Sequence, residues 1–229
     1  MASSGVFSYT YTANQIINAA LRKLSVLSEG VAANTTQLET GLEALNLLVL
    51  ELQALGMQVW SRKQVVTTMV DGTSSYTISA PKPLKIVQAW RTHPTTSERT
   101  DIMVVPDYDF NLLPPTATGV PINVTFQPKV GTSTLKVWPT PDSSMATGMT
   151  LTLVYISESE VFTLGTQTPD IPQEWYNTVV YQLAVLLAHE YSIPVQDISS
   201  LEKQADKHLN TALGLASEDG SVYFQPSRD

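Results

Sequence analysis

The chain has 229 residues, 43% of them hydrophobic and 15% charged, with a formal charge of −8 and no cysteine. That length buries a sizeable core in one domain or two small ones, and the missing thiols exclude disulfides, thiolate catalysis and cysteine-ligated zinc together. The charge is uneven: residues 1–60 carry two basic and four acidic groups, residues 61–168 eight of each, and residues 169–229 three and nine, giving −2, 0 and −6. With no basic stripe in any segment, a protein that grips nucleic acid by charge is excluded.

The opening MASSGVFSYTYTANQ has no basic start followed by an apolar block, so export or membrane anchoring is not expected. The glycosylation triplets at Asn34 and Asn123 then carry no meaning. Thr12 and Gln15 have the spacing of a capping box, and Ile16, Ile17, Ala20, Leu21 and Leu24 follow at helical spacing, with Arg22 and Lys23 at the end that favours cations. A second, longer helix is predicted from a Thr36–Glu39 capping box through Leu38, Leu42, Leu45, Val49 and Leu52 to Gly56. Leu47, Leu48 and Leu50 make it apolar beyond one stripe, which predicts that it touches neighbours on more than one side.

From Ser61 the period changes to two. Val65–Val70 and Tyr76–Ile78 around Asp71-Gly72 predict a hairpin. Ile86–Trp90, the set Ile122, Val124 and Phe126, then Leu135 and Val137, then Leu151, Leu153 and Tyr155 predict further strands. Frequent prolines between them mark turns and edges. Helical spacing returns after Asp170 and Pro172 with Trp175, Val179, Leu183, Leu187 and Tyr191, and Pro194 ends it. A last helix is predicted from a Ser199–Glu202 box through Leu201, Ala205, Leu209, Ala212 and Ala216.

The expected fold is α+β: an antiparallel helical bundle formed by the N- and C-terminal helix pairs, an inserted antiparallel β-sandwich or barrel module, and an extended C-terminal arm. The boundaries are residues 1–60, 61–168, 169–216 and 217–229. In the arm, Val222, Tyr223 and Phe224 form an apolar cluster in a polar terminal segment, which reads either as a frayed end or as a segment that orders on a partner, with Arg228 adding a polar contact.

Chemistry finds little purchase. In QLAVLLAHEYSIP the position four after His189 is Ile193, so the zinc-protease pairing of histidines on one helix face fails. His93, His189 and His208 share no ligand spacing, and no P-loop, dinucleotide fingerprint or nucleophile elbow is present. Asp107 and Asp109 read as solvated turn acids, and Trp90, Trp138 and Trp175 as core or interface anchors. No catalytic residue, cofactor site or metal site is expected. Two readings compete with a purely structural one: a cell-wall or glycan hydrolase using Glu174 or Glu190, and a monomeric β-sandwich binding module.

The stretches TANQIINAALRKLSVL, LQALGMQVW, PLKIVQAW, VPDYDFNLL, GVPINVTFQPKVGTSTLKVWPTP and TPDIPQEWYNTVVYQLAVLLAHEYSIP, in that order, resemble the head-to-tail adaptor proteins of tailed, especially short-tailed, bacteriophages. These are also called connector, gatekeeper or tail tubular proteins. Where related adaptors often carry a glycine after the third helix, this chain has Ser192. The resemblance implies a non-enzymatic virion protein of the neck and tail, assembled in the host cytoplasm without membrane insertion. It implies a homo-oligomeric ring, commonly of twelve copies, between the portal protein and the distal tail (nozzle or tail tube) protein. The ring extends the DNA channel and helps retain packaged DNA, with genomic DNA only as passing cargo. Carried onto this chain, Val222, Tyr223, Phe224, Gln225 and Arg228 would dock on the portal, and Leu47, Leu48 and Leu50 would lie on the subunit-interface helix.

Overall fold

A computed structural model describes residues 9–56, 61–79, 81–143 and 148–216. Within them the chain is α+β and divides into two compact units, one drawn from residues 1–57 and 160–229, the other from residues 58–159.

The first unit is helical. Helix α1 (Ala13–Lys23) starts on the Thr12–Gln15 capping box, and α2 (Thr35–Ala54) on a box made by Asn34 and Gln37. The Thr36–Glu39 box expected for α2 therefore does not form. Asn34 is at least as good a cap as threonine, and with Gln37 it satisfies two donors two residues earlier, at 2.9 and 3.0 Å. After the β unit come a short 3₁₀ turn (Gln173–Trp175), α4 (Tyr176–Glu190) and α5 (Val195–Ala216). Helix α5 starts at Pro194 instead of Ser199, with Asp197 and Ile198 N–H donating to the Pro194 carbonyl. The extra turn buries Ile198.

Ile16, Ile17 and Leu21 of α1, Leu45, Val49 and Leu52 of α2, Val179, Leu183 and Leu187 of α4, and Ile198 of α5 form one core. Helix α4 packs against α1, α2 and α5. Thr178, Val180, Ala184 and Ala188 are buried beside its main stripe, which is why it is apolar nearly all round.

Residues 160–168 belong to this helical unit, although their lack of helical period places them with the strands in a sequence reading. Phe162 enters the core. The carbonyls of Gln167 and Gly165 accept from Ala13 and Asn14 N–H at 2.9 and 2.8 Å, covering two donors that a helix start leaves without intrahelical partners.

The second unit holds β1 (Arg62–Thr68), β2 (Ser75–Ile78), β3 (Pro83–Thr92), β4 (Arg99–Val104), the short helix α3 (Asp107–Asn111), β5 (Asn123–Pro128), β6 (Ser133–Trp138) and β7 (Thr150–Ser157). They make one seven-stranded sheet in the order β1-β7-β3-β4-β5-β6-β2, not two facing sheets. Strand β4 pairs with β3 through residues 99–102 and with β5 through 103–104, which makes it the strand on which the sheet turns. One core gathers Met69, just past β1 at one edge, and Ile78 of β2 at the other. Only a curled sheet brings opposite edges to one core. The pleat supplies its inward residues at period two, as in Leu135 and Val137 on β6 and Leu151, Leu153 and Tyr155 on β7.

Two sequence expectations are corrected. The sheet is not antiparallel throughout, because β4 and β5 run parallel. The intervening residues 105–122 are long enough for the crossover that a parallel pair needs, and Trp138 Nε1–H pins them by donating to the Pro114 carbonyl at 2.8 Å. Nor do β1 and β2 form a hairpin: they lie on opposite edges of the sheet. Asp71-Gly72 is a turn, closed by Thr73 N–H on the Val70 carbonyl. Only Gly72 of the pair has positive φ, at 69°. That is a type II pattern, and unlike the primed turns it does not match the twist of a two-residue hairpin.

Candidate functional site

Helix α2 carries an exposed leucine-bearing face of the helical unit. Its solvent side presents Thr36, Glu39, Glu43, Leu47, Leu50, Glu51, Ala54 and Leu55, at the three- and four-residue steps that put them on one face. Leu47 is 66% exposed and Leu50 43%, whereas Leu48 is 3% exposed inside the chain's own core. Of the three leucines expected at a subunit interface, two are therefore free to meet a neighbour and Leu48 is not. The helix carries three glutamates and no cation.

A groove of about 600 Å³ lies where α1 ends and α4 turns into α5, lined by Lys23, Leu24, Ser25, Tyr181, Ile193, Pro194, Asp197, Ser200, Leu201 and Gln204. Its floor is fixed by the two helix ends. Ser25 and Ser192 both take positive φ, 58° and 53°, as the residue just past a helix does in a Schellman closure. The bonds agree: Val26 N–H reaches the Leu21 carbonyl and Ile193 N–H the Ala188 carbonyl, each at 3.1 Å. At one rim Lys23 Nζ stands 5.0 Å over the Tyr181 ring, which stacks on His208 at 4.7 Å. His208 is thus part of the α4–α5 contact, and Thr178 Oγ1–H donates to its carbonyl.

A row of tyrosines, not anticipated from the sequence, ties the N-terminal segment to the start of α4. Tyr9 meets Tyr11 edge-on at 4.7 Å and Tyr11 meets Tyr176 at 5.0 Å, contacts worth about 0.5–1.5 kcal/mol each. Burial, then the neighbouring Tyr9, raises the pKa of Tyr11 above its ordinary 10.0. The alternation in YTYT was the available signal, but nothing in it names Tyr176 as the partner.

The residues considered for chemistry stay apart or are taken up structurally. Glu174 and Glu190 are exposed at opposite ends of one helical run, roughly 24 Å apart along the axis at 1.5 Å per residue. Paired carboxylates of a glycosidase stand about 5–10 Å apart. Asp107 accepts from Gln127 Nε2 at 2.6 Å and from Asn111 Nδ2, so it anchors α3, while Asp109 is exposed. His93 Nδ1 accepts from the backbone N–H of Thr95 and Thr96, shaping the β3–β4 loop. His189 is exposed at the end of α4. Trp175 is buried in the helical unit, and Trp90 lies under Arg99, whose guanidinium sits 3.9 Å from the ring and bonds Asp101. Among the described residues no cluster of three histidines or acids is arranged to hold a metal, and no helix is long and apolar enough to cross a membrane.

The acid excess of the C-terminal segment is not concentrated on its last helix. Helix α5 sets Asp197, Glu202 and Asp206 against Lys203 and Lys207, a net −1. The expected portal-docking residues Val222, Tyr223, Phe224, Gln225 and Arg228 lie outside the described residues.

What the two units offer is surface: an acidic and leucine-bearing helix face, a groove between helix ends, and a curled sheet with no assembled catalytic group among the residues considered. No curated protein matches the chain. The SU10 adaptor protein family does, over residues 11–226, spanning both helical segments and the whole β unit between them, and the chain belongs to that family.

Proposed function

We propose that the chain is a structural, non-enzymatic virion protein of a tailed bacteriophage, a head-to-tail adaptor that assembles as a ring of twelve copies between the portal protein and the distal tail protein. The ring extends the DNA channel and helps retain packaged DNA, which passes through as cargo. In this reading the N- and C-terminal helix pairs form an antiparallel bundle standing beside its neighbours, and the β module faces the next tail component. The arm of residues 217–229 docks on the portal through Val222, Tyr223, Phe224 and Gln225.

The observation that carries the reading is the extent of the family match. It covers residues 11–226 and so includes the helices, the inserted strands and the Val222–Gln225 segment in one continuous adaptor sequence. The surfaces agree with it, since a helix that buries one side in its own core and leaves Leu47 and Leu50 in water suits packing against further copies.

The test is the mass and image of the full chain mixed with portal rings of the same phage. A ring-sized complex seated on the portal is expected, and deletion of residues 217–229 should abolish seating while far-UV circular dichroism stays unchanged. Seating that survives the deletion overturns the arm assignment. Peptidoglycan turnover that Glu190→Gln abolishes would overturn the non-enzymatic reading.

A further inference from the structure

The helical unit carries a projecting stripe and a recess on different helices. The stripe is α2 alone, with Leu47 and Leu50 flanked by Glu43 and Glu51. The recess is the groove of about 600 Å³ between α1, α4 and α5, to which α2 contributes no lining residue. Its apolar lining of Leu24, Ile193, Pro194 and Leu201 has room for two leucine side chains. A single exposed leucine needs no explanation, but Leu47, Leu50, Ala54 and Leu55 recur along one helix face, which marks a contact surface.

Charge is distributed to match. Among the described residues of the helical unit the cations are Arg22 and Lys23 on α1 and Lys203 and Lys207 on α5, the helices that border the groove; α2 has only glutamates. Asp197 also lines the groove, and Glu202 and Asp206 share α5 with the lysines. The cationic side is therefore the α1 end, where Lys23 stands over Tyr181.

We propose that the α2 stripe of one copy seats in the α1–α4–α5 groove of the next, Leu47 and Leu50 entering the recess and Glu43 and Glu51 facing the Arg22–Lys23 end. Each copy then uses two different surfaces, a heterologous contact of the kind that closes into a ring by rotation. The inference rests on the ring assembly proposed above and adds which face meets which.

The absence of cysteine makes the test clean. Leu47→Cys and Gln204→Cys are introduced into separate full-length copies, both at exposed positions. The variants are oxidised alone and mixed, free and on portal rings. A disulfide-linked pair is expected only in the mixture. Cross-linking of Leu47→Cys with itself indicates a two-fold α2–α2 contact and overturns the proposal. So does a ring of normal mass in which no Leu47→Cys to Gln204→Cys bond forms; that outcome leaves the ring itself standing. If no species above monomer mass forms, free or on the portal, both fall. As a second readout, Glu43→Lys with Glu51→Lys should weaken assembly by about tenfold or more by setting like charges together, and Lys23→Glu in the same chain should recover most of the loss. Unchanged assembly in the charge-reversed chain, or no recovery with Lys23→Glu, overturns the assigned facing.

Discussion

Asn46, in the middle of α2, holds both backbone polar groups of Phe162. Its Nδ2 donates to the Phe162 carbonyl at 2.9 Å and its Oδ1 accepts from the Phe162 N–H at 2.7 Å. One side chain thereby does for an irregular segment what a ladder does for a strand, and Phe162 is delivered into the helical core. Replacing Asn46 with alanine strips both partners at once, and an unsatisfied buried group costs about 1–3 kcal/mol. Asn46→Ala should destabilise the helical unit by about 2 kcal/mol, read as a lower urea midpoint at unchanged slope. Asn46→Asp keeps the acceptor but sets a carboxylate oxygen against the Phe162 carbonyl, so it should also lie below the parent. A midpoint indistinguishable from the parent would show that Phe162 is held by packing alone.

Ser192 sits at φ 53°, the conformation glycine adopts without strain. The backbone here therefore has the geometry that glycine suits, with a serine bearing the steric cost. Ser192→Gly should raise stability by about 0.5 kcal/mol, the relief of strain being partly offset by the freer unfolded chain. Ser192→Val should lower it by more than about 1 kcal/mol, because a β-branched residue resists positive φ most. Thermal melts of the three proteins check the order Gly, Ser, Val; any other order removes the strain argument.

The same position shows what was legible in the sequence. Helix stripes and the strand alternation of Leu135–Val137 and Leu151–Tyr155 depend on local period, and the structure agrees with them. The failures came where a local signal had two legitimate readings. Asn34 and Thr36 are both caps, and Gln37 decided between them. Asp71-Gly72 suits a hairpin turn or a type II turn, and the choice was set by strands distant in sequence, β6 and β7, that pair with β2 and β1 instead. The groove was invisible because it needs Lys23, Tyr181 and Leu201 from three helices brought together. Of the α2 leucines, spacing alone would have separated Leu48 from Leu47, since Leu48 continues the Leu45–Leu52 side.

Gly41 of α2 lies directly against Ile17 of α1. A Cβ at this position would fall on the side-chain carbons of Ile17, which is itself fully buried. Helix propensity alone says that alanine should stabilise here by up to about 1 kcal/mol. Overpacking a well-filled core costs about 1–3 kcal/mol, and Ile17, with no exposed side, has nowhere to move. Gly41→Ala should therefore be destabilising by about 1 kcal/mol net. Pairing it with Ile17→Ala should reduce the penalty, since both colliding γ carbons are removed, whereas Ile17→Val keeps them and should not. Additive losses in that double-mutant cycle would show that the two residues do not compete for the same space.

Alkaline pH should weaken the β unit through Tyr155. Burial on the core face of β7 raises its pKa above the ordinary 10.0, because the phenolate is the form that burial disfavours. The unfolded chain releases this proton near the ordinary value while the folded chain holds it. The stabilising contribution is thus complete below about pH 10 and is lost as pH rises through the folded value. Tyr155→Phe has no proton to lose, so its β unit should keep more of its neutral-pH stability above pH 10 than the parent does. At neutral pH the variant forfeits only the long bond to the Pro81 carbonyl, 3.4 Å, and should lie within about 1 kcal/mol of the parent. Tyr11 and Tyr191 are also raised, by burial first, but both belong to the helical unit. Their alkaline loss should persist in the variant and appear in helix signal, not in the strand signal. Urea unfolding followed by both signals from neutrality to beyond pH 10 separates the two, and an alkaline strand transition unmoved by Tyr155→Phe would assign the effect to another group.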